Sequence, residues 1–133
     1  MKGFVAVTLS ALMLAGCANK PVSFADASPV PTERIYAFRT PGADTAEVKL
    51  TRDSGFIRAA FNQEIFVDGK HAASIGQGES AVLHLPAGVH ILGARDTKIS
   101  DMVEREITVQ AGQTYRRRVA VMFSTTDITP TAF

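Results

Sequence analysis

Gln63-Glu64-Ile65-Phe66-Val67-Asp68-Gly69-Lys70-His71-Ala72-Ala73-Ser74-Ile75 decides the fold. Ile65 and Val67 flank Phe66 with the period of two that sends successive side chains to opposite faces of a strand. Asp68-Gly69 suits a two-residue type I′ turn, in which both central residues take positive φ. The spacing predicts an antiparallel hairpin joining Gln63–Val67 to Lys70–Ile75.

The same alternation continues on both sides. Val48 and Leu50 alternate with Glu47, Lys49 and Thr51, and Ile35-Tyr36-Ala37-Phe38 reads as a short apolar strand. Pro41-Gly42, Asp53-Ser54-Gly55, Gly76-Gln77-Gly78 and Ala111-Gly112 punctuate these runs with turn residues. In residues 55–62 (GFIRAAFN), Phe56, Ala59 and Ala60 fit one face of a helix, yet the β-rich surroundings favour strand or irregular structure. Residues 80–94 are expected to form a second hairpin around Leu85-Pro86-Ala87-Gly88, with Leu85 opposite Val89, His84 opposite His90 and Leu83 opposite Ile91. That register buries Leu83, Leu85, Val89 and Ile91 and puts both histidines on the other face. Val103–Val109 and residues 114–123 are the last long strand candidates, joined through Gln110 to Gln113. Short strands at this spacing predict an all-β domain over residues 33–133, a small antiparallel β-sandwich.

With 133 residues, 46% of them hydrophobic and 20% charged, the chain has room for one modest core. Its 1 Cys rules out an intramolecular disulfide framework and a four-cysteine zinc site. That cysteine stands in a telling place. Lys2 precedes an uncharged apolar run over residues 4–14, then Leu14-Ala15-Gly16-Cys17. As a helix the run rises about 16 Å, too short for a hydrocarbon layer of about 30 Å, so residues 1–16 read as a cleaved secretory leader. Leu-Ala-Gly-Cys after such a leader resembles the lipobox of bacterial lipoproteins. The resemblance implies cleavage between Gly16 and Cys17, and a diacylglyceryl group on the Cys17 thiol. A third acyl chain is usual, palmitate being the expected acyl type, and more than one chain is what stable anchoring needs. Loss of Lys2 takes the 14 basic residues to 13, equal to the 13 acidic ones. Ala18, where an Asp would signal retention, implies the outer membrane in a Gram-negative host.

Residues 18–32, with Pro21, Pro29 and Pro31 among Ala, Ser, Asp and Asn, read as a flexible linker with a stretched reach of about 50 Å from Cys17, the alternative being that Phe24 docks on the domain and orders it. Further on, Ile65 to Lys70, Ser74 to Glu79, and Leu83 to His90 resemble the small β modules of bacterial surface lipoproteins related to PEGA domains. Ala111-Gly112-Gln113-Thr114-Tyr115 is similar to a strand start in an uncharacterised lipoprotein family of this kind. The likeness covers residues 33–123 and implies a transthyretin-like sandwich in the cell envelope, with no catalytic residues to carry over.

Candidate chemistry is sparse. His84 and His90, with His71 as a third donor, could approach one metal ion, but without a placed carboxylate the set is incomplete and a sheet-face histidine pair is the plainer reading. Asp68 and Glu64 read as a turn former and a strand charge. Arg116 and Arg118 share one strand face and Arg117 the other, so Arg116 and Arg118 are candidate contacts for an acidic partner or lipid phosphate. Their plainer role is pairing with Glu104 and Glu106 on the preceding strand. An exported, formally neutral chain without interleaved aromatics does not suggest nucleic acid. The expectation is a non-enzymatic, lipid-anchored binding or interaction module in the periplasm, without a cofactor, contacting an envelope protein or glycan. An accessory subunit of an envelope or secretion machine is the alternative, followed by a small metal-dependent hydrolase using His84 and His90.

Overall fold

The computed structural model describes residues 18–96 and 101–133, and these build a two-sheet β domain. In chain order the strands are β1 (Ser28–Pro29), β2 (Thr45–Arg52), β3 (Gln63–Val67), β4 (Lys70–Ile75), β5 (Glu79–Pro86), β6 (Gly88–Asp96), β7 (Val103–Val109), β8 (Thr114–Val121) and β9 (Thr126–Pro130). One sheet has five strands in the order β1-β5-β2-β8-β9, and the other has four in the order β4-β3-β6-β7. Ala46, Val48 and Leu50 of β2 alternate inward, as do Leu83 and Leu85 of β5 and Val119 and Val121 of β8. They meet Ile65 and Val67 of β3, Ile75 of β4, Leu92 and Ala94 of β6, and Ile107 and Val109 of β7 in one core. Among the described residues no helix is long and apolar enough to cross a membrane.

The β3–β4 hairpin has the strand bounds and the turn read from the sequence. Asp68 and Gly69 take φ of 50° and 78°, as a type I′ turn demands. Ala72 is the extra residue of a bulge, since Ile65 pairs with Ala73 and Phe66 with His71.

The second expected hairpin does not exist. β5 pairs with β2 and β1, whereas β6 pairs with β3 and β7, so Pro86-Ala87-Gly88 carries the chain from one sheet to the other. The phase of burial changes across the link. β5 buries Ala81, Leu83 and Leu85, but β6 buries Leu92 and Ala94, leaving Val89 60% exposed and Ile91 half-buried. Gly88, at a φ of 133°, permits the change of direction. Gln110 to Gln113 makes a similar crossing, because β7 lies beside β6 while β8 lies parallel to β2. Arg116 and Arg118 therefore do not face Glu104 and Glu106. Residues 35–38 are not a strand either: after a short 3-10 turn (Thr32–Arg34), Ile35 makes one bridge to Ala73 and Phe38 takes a φ of 57°. This segment laces the open side of the sandwich, with Tyr36 N–H donating to Ala72 and Phe38 accepting from His84 N–H.

Residues 18–32, expected to be a free linker, lie along the domain. Ser28 and Val30 N–H groups donate to Gly78 and Ser80 carbonyls, so β1 extends the β5 edge. Pro29, between them, needs no donor on this alternating pattern, which is why proline is tolerated there. Ala27 and Val30 are buried, and the Phe24 ring lies 4.6 Å from Lys49 Nζ. Past β8, residues 126–130 return as strand β9.

Candidate functional site

Strand alternation dictates the chemistry of one end of the sandwich. Counting two residues on from Ala46, Val48 and Leu50, the next inward position of β2 is Arg52. Likewise the inward row of β6 runs Leu92, Ala94, Asp96, and that of β3 runs Val67, Ile65, Gln63. All three rows end in a polar side chain at the same end of the molecule, since Gln63 pairs with Asp96 across β3 and β6. Arg52, Gln63, Asp96 and Thr126 are each at most 1% exposed. A buried charge of this kind is tolerated only when its donors are used.

The Arg52 guanidinium donates to the carbonyls of Phe61 (2.7 Å), Ile75 (3.0 Å) and Arg58 (2.9 Å). Burial lowers its pKa to about 10, so it stays charged at neutral pH. Two of those acceptors belong to the loop over residues 53–62 that joins β2 to β3. Arg58, at a φ of 54°, sends its own side chain into an ion pair with Asp96 and donates to the Met122 carbonyl. Thr126 Oγ1 donates to Gln63 Oε1 at 3.0 Å, tying β9 into the same polar layer. At the loop's start the nearly buried Asp53 carboxylate holds Arg118 by two bonds of 2.6 and 2.7 Å.

Asn19 completes the arrangement. Its side-chain amide donates to Ile57 and Val121 carbonyls at 3.0 and 3.1 Å, and its oxygen accepts from Ile57 N–H at 3.0 Å. Lys20 and Ser54 exchange a pair of backbone bonds alongside. A Cβ on Gly55 would stand 2.3 Å from Asn19 Oδ1 and 3.0 Å from its Cα, so this close approach requires glycine. Yet the loops fixed this way hold apolar side chains in solvent: Phe56 is 92% exposed, Phe123 79% and Met122 46%. The sequence signal for this site is the phase of Arg52 and Asp96 with the apolar rows, visible only where each alternation is continued to the end of its strand.

The other candidate residues lie apart. Cys17 and Gly16 fall outside the described residues. Arg116 is exposed on the outer face of β8, beside Lys49 in register, while Arg118 is engaged by Asp53. His84 is on β5 and His90 on β6, in different sheets, so the cross-strand histidine pair is not formed. His90 instead bridges Asp68 Oδ2 and the Pro86 carbonyl, each at 2.6 Å. Both partners are acceptors, so the two bonds together are made by the imidazolium form, with a proton on each ring nitrogen. Burial pulls the imidazole pKa down, but these two bonds outweigh it and hold it above the ordinary 6.5. Asp68 sits below its usual 3.8, held there by His90 and then by Ile91 N–H. His71 contacts Glu64 and stacks on Phe66 with centroids 5.0 Å apart, while Ser74 Oγ donates to the same carboxylate at 2.9 Å. Glu64 thus accepts from Ser74 through one carboxylate oxygen and meets His71 through the other. Among the described residues no group of three or more His, Cys, Asp and Glu is placed to hold a metal ion.

Comparison with models of known protein families and with curated proteins finds no match to this chain.

Proposed function

We propose that the chain is a lipid-anchored envelope protein of a bacterium, held through acyl chains on Cys17 and serving as a non-enzymatic interaction module on the periplasmic side of the membrane. The observation that carries this reading is the sequence Leu14-Ala15-Gly16-Cys17 behind a charged n-region and a short apolar run. Two features of the domain support it. Two of the 3 histidines are engaged in bonds that brace turns and strands: His90 with Asp68 and Pro86, His71 with Glu64. In addition, Asn19, two residues after Cys17, is hydrogen-bonded to the domain, which keeps an acyl anchor at that position close to it.

The full chain expressed in a Gram-negative host is expected to sediment with membranes and to require detergent for release, while the Cys17→Ala variant is recovered in the soluble fraction. Equal partition of the two proteins would contradict the anchor. Proximity labelling from the anchored protein is expected to mark a small, reproducible set of envelope proteins. Labelling no richer than that from an unrelated anchored domain would contradict the interaction role.

A further inference from the structure

Acylation of Cys17, on which this inference rests, has a geometric consequence that a free linker would have hidden. Two peptide units separate the Cα atoms of Cys17 and Asn19, a span of at most about 8 Å. Asn19 is fastened to the β2–β3 loop and to the end of β8 by three hydrogen bonds. A lipid on Cys17 therefore leaves the domain no slack to stand away from the bilayer, and it is this end that lies against the headgroups.

The same end carries the exposed apolar side chains Phe56, Met122 and Phe123. Their loops abut, since Asn19 Nδ2 bonds the Ile57 carbonyl of one and the Val121 carbonyl at the end of β8 that leads into the other, and Arg58 reaches from the first to the Met122 carbonyl of the second. A loose loop would turn such residues inward to remove them from water. Here Arg52 holds the loop carbonyls of Arg58 and Phe61, and Asn19 holds Ile57, so Phe56 is kept outside. Lys20, exposed beside Ser54, supplies a cation at the same level.

We propose that this end of the sandwich is a membrane-contacting face, with Phe56, Met122 and Phe123 seated in the interfacial layer of the bilayer that receives the Cys17 acyl chains and Lys20 meeting lipid phosphate. Aromatic and apolar side chains beside a basic one suit that layer, and the depth they reach is that of an interfacial anchor and not of a span. Orientation follows: the opposite end, with Asp68, Pro86 and Gly112, points away from the membrane.

The chain contains no Trp, so a single introduced indole reports its own site. Full-length Phe56→Trp, Phe123→Trp and, at the far end, Ala87→Trp proteins are purified from membranes and reconstituted into phosphatidylethanolamine–phosphatidylglycerol vesicles. The mass of each preparation records the group on Cys17. Indoles at 56 and 123 are expected to emit at shorter wavelength than at 87, to be quenched by lipids brominated on the acyl chains, and to be protected from acrylamide. The indole at 87 is expected to behave as exposed. Acylated protein with no bromolipid quenching at 56 or 123 overturns this proposal and leaves the anchor standing; an unmodified Cys17 overturns both. A blue shift without bromolipid quenching means that a second copy or another protein covers the face, and that also overturns it.

Discussion

At the end of the sandwich marked by Asp68-Gly69 and Pro86, the inward rows finish in Val67, Leu85 and Val109, and polar turns close over them. At the other end the rows finish in Arg52, Gln63 and Asp96, and the loops outside them carry Phe56 and Phe123. The first end, apart from the exposed Val89, has the ordinary arrangement of a domain in water, apolar inside and polar outside. The second reverses it. Hydrophobic burial contributes less to the loops of the reversed end, because Phe56 and Phe123 are exposed and Ile57 and Phe61 are only half-buried. Buried charge with directional hydrogen bonds holds them instead, at the cost of desolvating a guanidinium. An exposed aromatic gains meaning when the backbone beneath it is rigidly held.

The largest expected effect therefore comes from the side chain that organises the reversed end. Arg52→Met keeps most of the volume but removes the guanidinium from three carbonyls, of which that of Arg58 retains Phe61 N–H, and is expected to lower unfolding free energy by about 3–5 kcal/mol in urea titrations. A loss below about 1 kcal/mol would mean that burial of aliphatic side chains alone holds both ends. Next, Gly55→Ala drives a methyl group against Asn19 at a φ of 134° and is expected to cost about 1–3 kcal/mol. Hydrogen exchange should show faster exchange at Ile57 N–H, which Asn19 accepts, with the Asp68 turn unchanged. Faster exchange at both ends would erase the distinction drawn between them.

The ordinary end offers a pH test. His90 has its pKa raised in the fold, so the stability it contributes is fully present below about 6.5 and is lost as pH rises through the raised value. Asp68 is depressed, so its contribution is present above about 3.8 and is lost as pH falls through the lower value. Stability should thus be greatest in mildly acid solution and decline toward alkaline pH. The His90→Ala variant is expected to be weaker by about 1 kcal/mol near pH 5 and to lose most of that alkaline decline. An unchanged slope in the variant would place the titration elsewhere. The smallest effect on folding belongs to Phe123→Ser, within about 0.5 kcal/mol of the parent, because the ring is already in solvent. A clear destabilisation would show that this ring packs on the domain in solution.

What the sequence disclosed, and what it did not, follows the reach of each signal. Asp68-Gly69 declared a type I′ hairpin because positive φ at two successive residues is a local demand. The alternation in Thr45–Arg52 and Val103–Val109 likewise located strands from neighbouring residues alone. Pro86-Ala87-Gly88 could not reveal its sheets, because a tight turn between paired strands and a crossing between sheets need the same local residues. The choice is made by distant partners of β5 and β6. The proline-rich segment looked like a tether since its single edge strand takes its bonds from residues near 80, far along the chain. For the candidate site, residue types spoke too loudly. His84 and His90 drew attention as donors although they sit in separate sheets, while Arg52 and Asp96 went unremarked although their phase placed them inside.

The anchor on Cys17 is the premise that turns the reversed end into a membrane face, and intact mass spectrometry of the detergent-extracted full-length gene product tests it most directly. The account predicts a chain that starts at Cys17 and carries the added mass of a diacylglyceryl group, with or without a further acyl chain. A chain that still begins at Met1 and bears a free thiol at position 17 would contradict it.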